Sequence, residues 1–365
     1  MISICTGDTS NWLTTYRDKQ PVYACILSFT DTALIPQISA AGLTPEDRRR
    51  TAAADGAFLI RGQTSQTPLV PLSAGISPAI ISRAILNALA IPSHLLSTGL
   101  PVPLCVPHIE LPKVIGNAVD TGHAMSLEQV HALFSAGRHW GQALAPSGSY
   151  LILAECVVGG TTTAQAVLSA LGYSVEGCMG SSHLAGNHFQ KSELVRKGID
   201  AWHQREALSS LQQQAAQRQQ AFRIVAAVGD PMQIVAAGMV IGASQKSGVM
   251  LAGGSQMLAV YALAGAITQQ QKLFWRPEHV VVGTTRWVVE DSQADTVAIA
   301  QQLGVPYLAS QMSFLQSPYM QLRAYEQGHI KEGVGAGGCA IAAHLYQRWT
   351  RSQLRHAVEA LVRQM

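Results

Sequence analysis

The sequence predicts an α/β fold: a doubly wound, mostly parallel sheet in a Rossmann-like three-layer α/β/α arrangement, with a small helical region formed from the two chain termini. Three observations predict it. Apolar runs of strand length recur along the chain, each ending in glycine and followed by a helical stretch, and residues 150–172 are the clearest of them. The runs are apolar at consecutive positions instead of alternating, as strands covered on both faces require. The chain has 365 residues, 48% of them apolar and only 13% charged, which suits one large domain with an appendage and excludes a disordered chain. We expect an α/β nucleotide-binding domain over residues 22–320 and a smaller helical region over 1–21 and 321–365.

In chain order, residues 1–20 are polar and weakly patterned and read as a helix or arm. A first strand is predicted over 22–29, followed by a turn rich in side-chain acceptors at Thr30-Asp31-Thr32. A helix starts after Thr44, with Pro45 in its first position and Asp47 in its third, and Arg48, Arg49 and Arg50 read as its solvated face, a phosphate clamp being the alternative. Gly75-Ile76-Ser77-Pro78 opens a helix through Leu89, and a short strand lies near Leu95. The prolines of residues 101–107 mark a surface crossing, and Ser126 caps a helix running to Ala145.

The run at 150–156 then leads into Gly159-Gly160-Thr161-Thr162-Thr163, with a helix beginning near Thr162. This is an anion cradle: the glycines permit a tight turn and close approach, the helix start presents free N–H groups, and the threonines add hydroxyls and can cap. A strand is predicted over 173–179, after which Ser181, Ser182 and Lys191 can supply hydroxyls and a cation to a phosphate, a solvent-exposed lysine being the alternative. The strand–glycine–helix pattern recurs at 224–228 before Gly229-Asp230-Pro231, at 249–251 before Gly253-Gly254, and at 280–282 before Gly283, with a helix over 292–303. The Gln-rich stretch 211–220 reads as a solvated helix. Ligands of such sheets bind beyond the carboxyl ends of the strands, where these turns collect.

Composition excludes several classes. A net charge of +3 with dispersed basic residues gives no nucleic-acid surface. The six cysteines form no C-x-x-C pair and the histidines no H-E-x-x-H, so no metal site is expected, and free buried thiols suit a reducing cytoplasm. Residues 1–8 lack the basic lead and apolar core of a signal peptide. Residues 247–271 carry no charge, but Gly253-Gly254-Ser255-Gln256 interrupts them, which points to a core strand and a buried helix and not to a membrane span. The cluster Gly333-Val334-Gly335-Ala336-Gly337-Gly338 matches G-x-G-x-x-G, yet no apolar strand precedes it, so it is not a dinucleotide fingerprint, and no Gly-Lys-Ser/Thr ending makes it a P-loop. Coming directly after Glu332, it leaves that carboxylate open to a small substrate.

Taken together, Gly75-Ile76-Ser77-Pro78, residues 124–128, Glu155 with 159–163, residues 191–195, Gly229-Asp230, Gly253-Gly254 and 332–336 occur in the order and spacing of a known family. Over residues 73–344 the chain resembles nicotinate-nucleotide:dimethylbenzimidazole phosphoribosyltransferase, especially its divergent archaeal and cyanobacterial relatives. The resemblance implies Glu332 as general base, Glu155 as a second catalytic carboxylate, and Ser77 in the base pocket. It places the nucleotide on Gly159 to Thr163, Ser181, Ser182, Lys191, Asp230, Gly253, Gly254, Gly333 and Gly335. It further implies a homodimer, small-molecule partners (a nucleotide and an aromatic base, dimethylbenzimidazole or a purine such as adenine), and no cofactor beyond nicotinate mononucleotide as substrate. The chain departs from the family at His329-Ile330-Lys331, where Arg-Leu-Gly is usual, and at Val334, where Thr is usual. Two other functions fit the same scaffold: a ribosyl or phosphoribosyl transferase with another leaving group, and a non-catalytic nucleotide-binding regulator.

Overall fold

Strands that are apolar at every position need cover on both faces, and the computed structural model, which describes residues 2–62, 68–184, 186–207 and 219–365, shows how they obtain it. The strands are β1 (Ile2–Thr6), β2 (Val22–Leu27), β3 (Ser93–Ser97), β4 (Ile109–Glu110), β5 (Tyr150–Cys156), β6 (Gly248–Ala252), β7 (Val280–Thr285) and β8 (Tyr307–Ser310). They form one eight-stranded sheet in the order β1-β8-β7-β6-β5-β2-β3-β4. Every neighbouring pair is parallel except β1 with β8.

Alternate residues of each strand feed two separate cores. Leu151 and Leu153 of β5 join a cluster with the helices α4 (Leu127–Leu144), α5 (Gly160–Ala170), α6 (His188–Ala207), α7 (Gln220–Val228), α8 (Pro231–Ala243) and α9 (Ser255–Gln271). Tyr150, Ile152 and Ala154 face the opposite layer, where α1 (Ser10–Tyr16), α2 (Pro45–Arg61) and α3 (Ala79–Ala88) pack. Beyond the strands of that second layer follow α10 (Arg286–Val289), α11 (Thr296–Leu303), α12 (Met320–Glu326), α13 (Ala336–Gln347) and α14 (Arg351–Arg363). α11 itself contributes Ile299 and Ala300 to the first core, while α13 and α14 contribute Ile341 and Val358 to the second. The arrangement is the expected three-layer α/β/α fold.

The winding direction positions the site. From β2 the chain moves outward to β3 and β4, then returns to β5 on the other side of β2 and proceeds through β6 and β7 to β8. The order therefore reverses between β2 and β5, and a crevice opens beyond their carboxyl ends.

Several local expectations change. Residues 224–228 are not a strand but the end of α7, whose Phe222 and Val225 point into the core while Arg223 turns outward to Glu206. A five-residue apolar run satisfies both periods, and here the helical one wins. Residues 173–179 are no strand either: Gly177 sits at φ 77°, breaking the extended backbone, while Val175 and Met179 plug the core individually. The first residues, expected as a helix or arm, supply an antiparallel edge strand to the same sheet before α1. The predicted helix over 292–303 is confined to α11. Thr44 does cap α2 through a capping box with Asp47, but Arg48 leaves the solvated face and is buried, its Nε donating to the Ala33 carbonyl. The Gln-rich stretch, apart from its last two residues, lies outside the described residues. Among the described residues no helix is long and apolar enough to cross a membrane.

Candidate active site

A cavity occupies the crevice, bounded by the turn after β5, by Gly180 to Ser182, by the start of α9, and by residues 329–334. Glu155 and Glu332 both border it. Glu155 is the penultimate residue of β5, so its side chain emerges where the strand ends. Its Oε2 accepts from Val157 N–H at 2.9 Å and its Oε1 from Gln256 Nε2 at 2.9 Å. Burial pushes this carboxyl up to about 8; the Val157 bond opposes the shift, and the nearby carboxylates of Asp230 and Glu332 add to it.

Glu332 is held more tightly. Its Oε1 accepts from Gly333 N–H at 3.0 Å and Gly337 N–H at 3.2 Å, and its Oε2 from Thr285 N–H at 3.0 Å and Thr284 Oγ1 at 3.2 Å. Gly337 belongs to the first turn of α13, so the carboxylate also satisfies a helix-terminal donor. Burial nevertheless outweighs these bonds and raises the group to about 7. The loop that carries it is constrained: Val334 adopts φ 52°, an unfavourable conformation for a β-branched residue. It is kept there by its N–H on the Glu155 carbonyl (3.2 Å) and by Tyr23 and Ser82 hydroxyls donating to its own carbonyl (2.8 and 2.7 Å). Gly335 follows at φ 71°, where a Cβ would stand 2.7 Å from that of Ala154. The backbone thus ties the two carboxylates to one another.

The expected anion cradle is narrower than its sequence suggested. α5 starts at Gly160, two residues early, with Gly159 at φ 80° as its cap and no side-chain capping bond. Gly160 and Thr162 N–H groups already bond the Val157 and Gly159 carbonyls. Of the three threonines only Thr161 borders the cavity. Thr162 and Thr163 are fully buried, and Thr163 Oγ1 donates to Asp230 at 2.6 Å. Asp230, expected at the nucleotide, instead caps α8 by accepting from Gln233 N–H at 3.0 Å, joining α5 to α8.

Lys191 also changes place. It is fully buried in α6, its Nζ donates to the Gly180 carbonyl at 2.6 Å, and it does not border the cavity. Burial, with Lys331 nearby, pulls it down to about 7. The cation that borders the cavity is Lys331, whose Nζ pairs with Asp291 and reaches the Ser181 carbonyl at 3.2 Å. Ser181 and Ser182 border it, bonded to Asn187 and to Ala40 N–H respectively. Gly254 and Gly333 line it; Gly253 bonds back to Gly283 in the sheet, and Gly335 lies behind the wall. Ser77 stands one step away, donating to Asp55 at 2.6 Å, and Asp55 is the group that borders the cavity.

Asp55, Gln256 and Asp291 are therefore site residues that sequence reasoning did not single out. Asp55 left a faint signal: a lone carboxylate, and a poor helix former, inside Ala52-Ala53-Ala54-Asp55-Gly56-Ala57. Gln256 and Asp291 left none, since each matters through a partner distant in sequence. Among the described residues no group of three or more His, Cys, Asp or Glu side chains is arranged to hold a metal ion.

A family model described as phosphoribosyltransferase matches residues 113–285. A UPF0284 protein of Cyanothece sp. is 52% identical over 352 residues, covering 96% of this chain and 93% of its own. Another, from Trichodesmium erythraeum, is 51% identical over 356 residues, covering 96% and 95%. Among solved structures, CobT from Thermus thermophilus superposes with a TM-score of 0.58 at 16% identity, over 94% of this chain and 84% of its own. A nicotinate-nucleotide-dimethylbenzimidazole phosphoribosyltransferase from the same organism gives 0.56 at 17%, over 94% and 83%.

Proposed function

We propose that this chain, which belongs to the UPF0284 family, is a phosphoribosyltransferase that moves the ribose phosphate of nicotinate mononucleotide onto an aromatic base. The observation that carries the proposal is the pair Glu155 and Glu332, joined through the Val334 backbone and bordering one cavity at the switch point of the sheet.

The chemistry follows from what these groups can do. In the donor, C1 of ribose is bonded to a pyridinium nitrogen. When that bond breaks, the electron pair returns to the ring and nicotinate departs without protonation. Positive charge grows on the sugar, and a ring nitrogen of the acceptor forms the new bond to C1. The acceptor then loses its N–H proton, and Glu332, raised to about 7 and fixed by its backbone donors, is placed to take it. Burial favours the protonated form of Glu155 in the ligand-free cavity; the positive pyridinium of the donor favours its carboxylate, which faces the sugar as charge develops. Thr161 at the α5 terminus, Ser181, Ser182 and Lys331 border the cavity and are the groups suited to the phosphate. Holding two reactants against each other accounts for the remaining acceleration.

A non-catalytic nucleotide sensor fits less well, because phosphate recognition calls for donors and this cavity is also bordered by the carboxylates of Asp55, Glu155 and Glu332. Nicotinate release from the mononucleotide that requires an added base tests the proposal. Absence of release with every base refutes it.

A further inference from the structure

Asp55 sits in the middle of α2 and is 5% exposed, yet it borders the cavity. Its partners are neutral: Ser77 Oγ donates to Oδ1 at 2.6 Å, and Cys156 Sγ lies 3.5 Å from Oδ2. No ion pair among the described residues includes it. Burial pushes it up to about 6, opposed by the Ser77 and Cys156 bonds. A buried carboxylate without a cation is costly to keep, and in a ligand cavity it points to a ligand that offers it a proton donor.

Its location says which ligand. Ser77 precedes Pro78, and Pro78 Cγ lies 3.1 Å from where a Cβ on Gly333, the residue after Glu332, would stand. Leu72, Ala74, Pro78 and Cys156 give this end of the cavity an apolar wall. A flat ring in this cavity is offered apolar contacts and two acceptors that border it, Glu332 and Asp55. Nicotinate, which bears a carboxylate of its own, is repelled by Asp55. A base with a single N–H spends it on Glu332 and leaves Asp55 desolvated with only its Ser77 and Cys156 bonds.

We propose that Asp55 selects the acceptor: it receives an N–H of an exocyclic amino group while the ring N–H proton goes to Glu332. The preferred class is then amino-bearing heteroaromatic bases, and bases decorated only with methyl groups are disfavoured. This rests on the phosphoribosyl transfer proposed above. The step balances: the C1–pyridinium bond breaks with its pair going to nicotinate, the C1–base bond forms, one proton passes to Glu332, and the amino group stays intact.

Adenine and unsubstituted purine differ only by the amino group and form the matched probe. Two readouts are needed: kcat/KM for nicotinate release with each base, and calorimetric affinity of each free base for the full chain. The wild type favours adenine by about 10- to 100-fold, the usual weight of a hydrogen bond to a charged group. In Asp55→Asn the carbonyl oxygen keeps the Ser77 bond and the amide NH2 replaces the second acceptor, so the adenine-to-purine ratio falls to about one; Asp55→Leu gives the same collapse without an amide. Equal loss for both bases, or no preference in the wild type, overturns the assignment. An Asp55-dependent binding preference without nicotinate release from either base upholds Asp55 and refutes the transfer reaction. Release without any preference upholds the transfer and refutes Asp55.

Discussion

Replacing Glu332 with Gln separates the two jobs this carboxylate holds. As a proton acceptor it is lost outright, and removal of a positioned general base lowers turnover by about 100- to 10,000-fold. As a structural anchor it is damaged as well. Backbone N–H groups face both oxygens, Gly333 and Gly337 at Oε1 and Thr285 and Gly337 at Oε2, so whichever way the amide turns, its NH2 confronts at least one donor. Leaving such a donor unpaired costs about 1–3 kcal/mol, which in a chain of this size lowers Tm by about 1–4 °C. A thermal melt reads the second effect and steady-state nicotinate release the first. Acceptor dependence tells them apart: benzimidazole must surrender a ring proton, whereas 1-methylbenzimidazole attacks through a free nitrogen with no proton to lose. The variant's loss is large with the former and small with the latter, while affinity for the donor nucleotide persists. Wild-type turnover with every productive acceptor would falsify the general-base role and leave Glu332 as a carboxylate that caps α13.

Three further outcomes follow from the geometry. With Glu332 raised to about 7 and Glu155 to about 8 in the free chain and both acting as carboxylates, kcat/KM rises with pH up to about 8 and levels above it; a profile flat from pH 5 to 8 contradicts the assignment. Glu155 and Glu332 bind protons more tightly folded than unfolded, so the stability they contribute is complete below their unfolded values and lost as pH rises; the ligand-free Tm therefore declines from pH 5 to 7, and a rise refutes the shifts. Lys331→Met weakens mononucleotide binding several-fold in a salt-dependent way, whereas Lys191→Met, in a buried side chain that supports the wall from behind through the Gly180 carbonyl, alters Tm with a smaller change in KM; the opposite pattern restores Lys191 to the phosphate. We also propose a homodimer on the strength of the resemblance, to be checked by light scattering at micromolar concentration, where a monomer counts against it.

The parts of this molecule legible in sequence are those encoded locally. β5 announced itself because both of its faces are buried and every residue except Glu155 is apolar, and the glycine after it because a strand-to-helix turn needs a left-handed residue there. The capping boxes at Thr44 and Ser126 were legible for the same reason, each lying within four residues. α7 was not, since a short apolar run carries no period of its own and only the core it enters decides. β1 was hidden because its pairing partner lies at the far end of the chain. In the site, the glycine-flanked Glu332 could be found from its neighbours in sequence. Asp55 could not, because its meaning comes from Ser77 and Cys156, and Lys331 took the place expected of Lys191 only because Asp291 and the Ser181 carbonyl hold it at the wall. Thr163 and Asp230 mimic ligand-binding residues in sequence, yet they are spent on each other.

The most direct test of the account is to incubate the purified chain with nicotinate mononucleotide and one aromatic base at a time, and to weigh the products by mass spectrometry. The account predicts free nicotinate in equal amount to a new species whose mass is that of the added base joined to ribose 5-phosphate with loss of water, formed only when a base is present. Nicotinate and free ribose 5-phosphate without any such adduct, or an unchanged mononucleotide with every base, contradicts it.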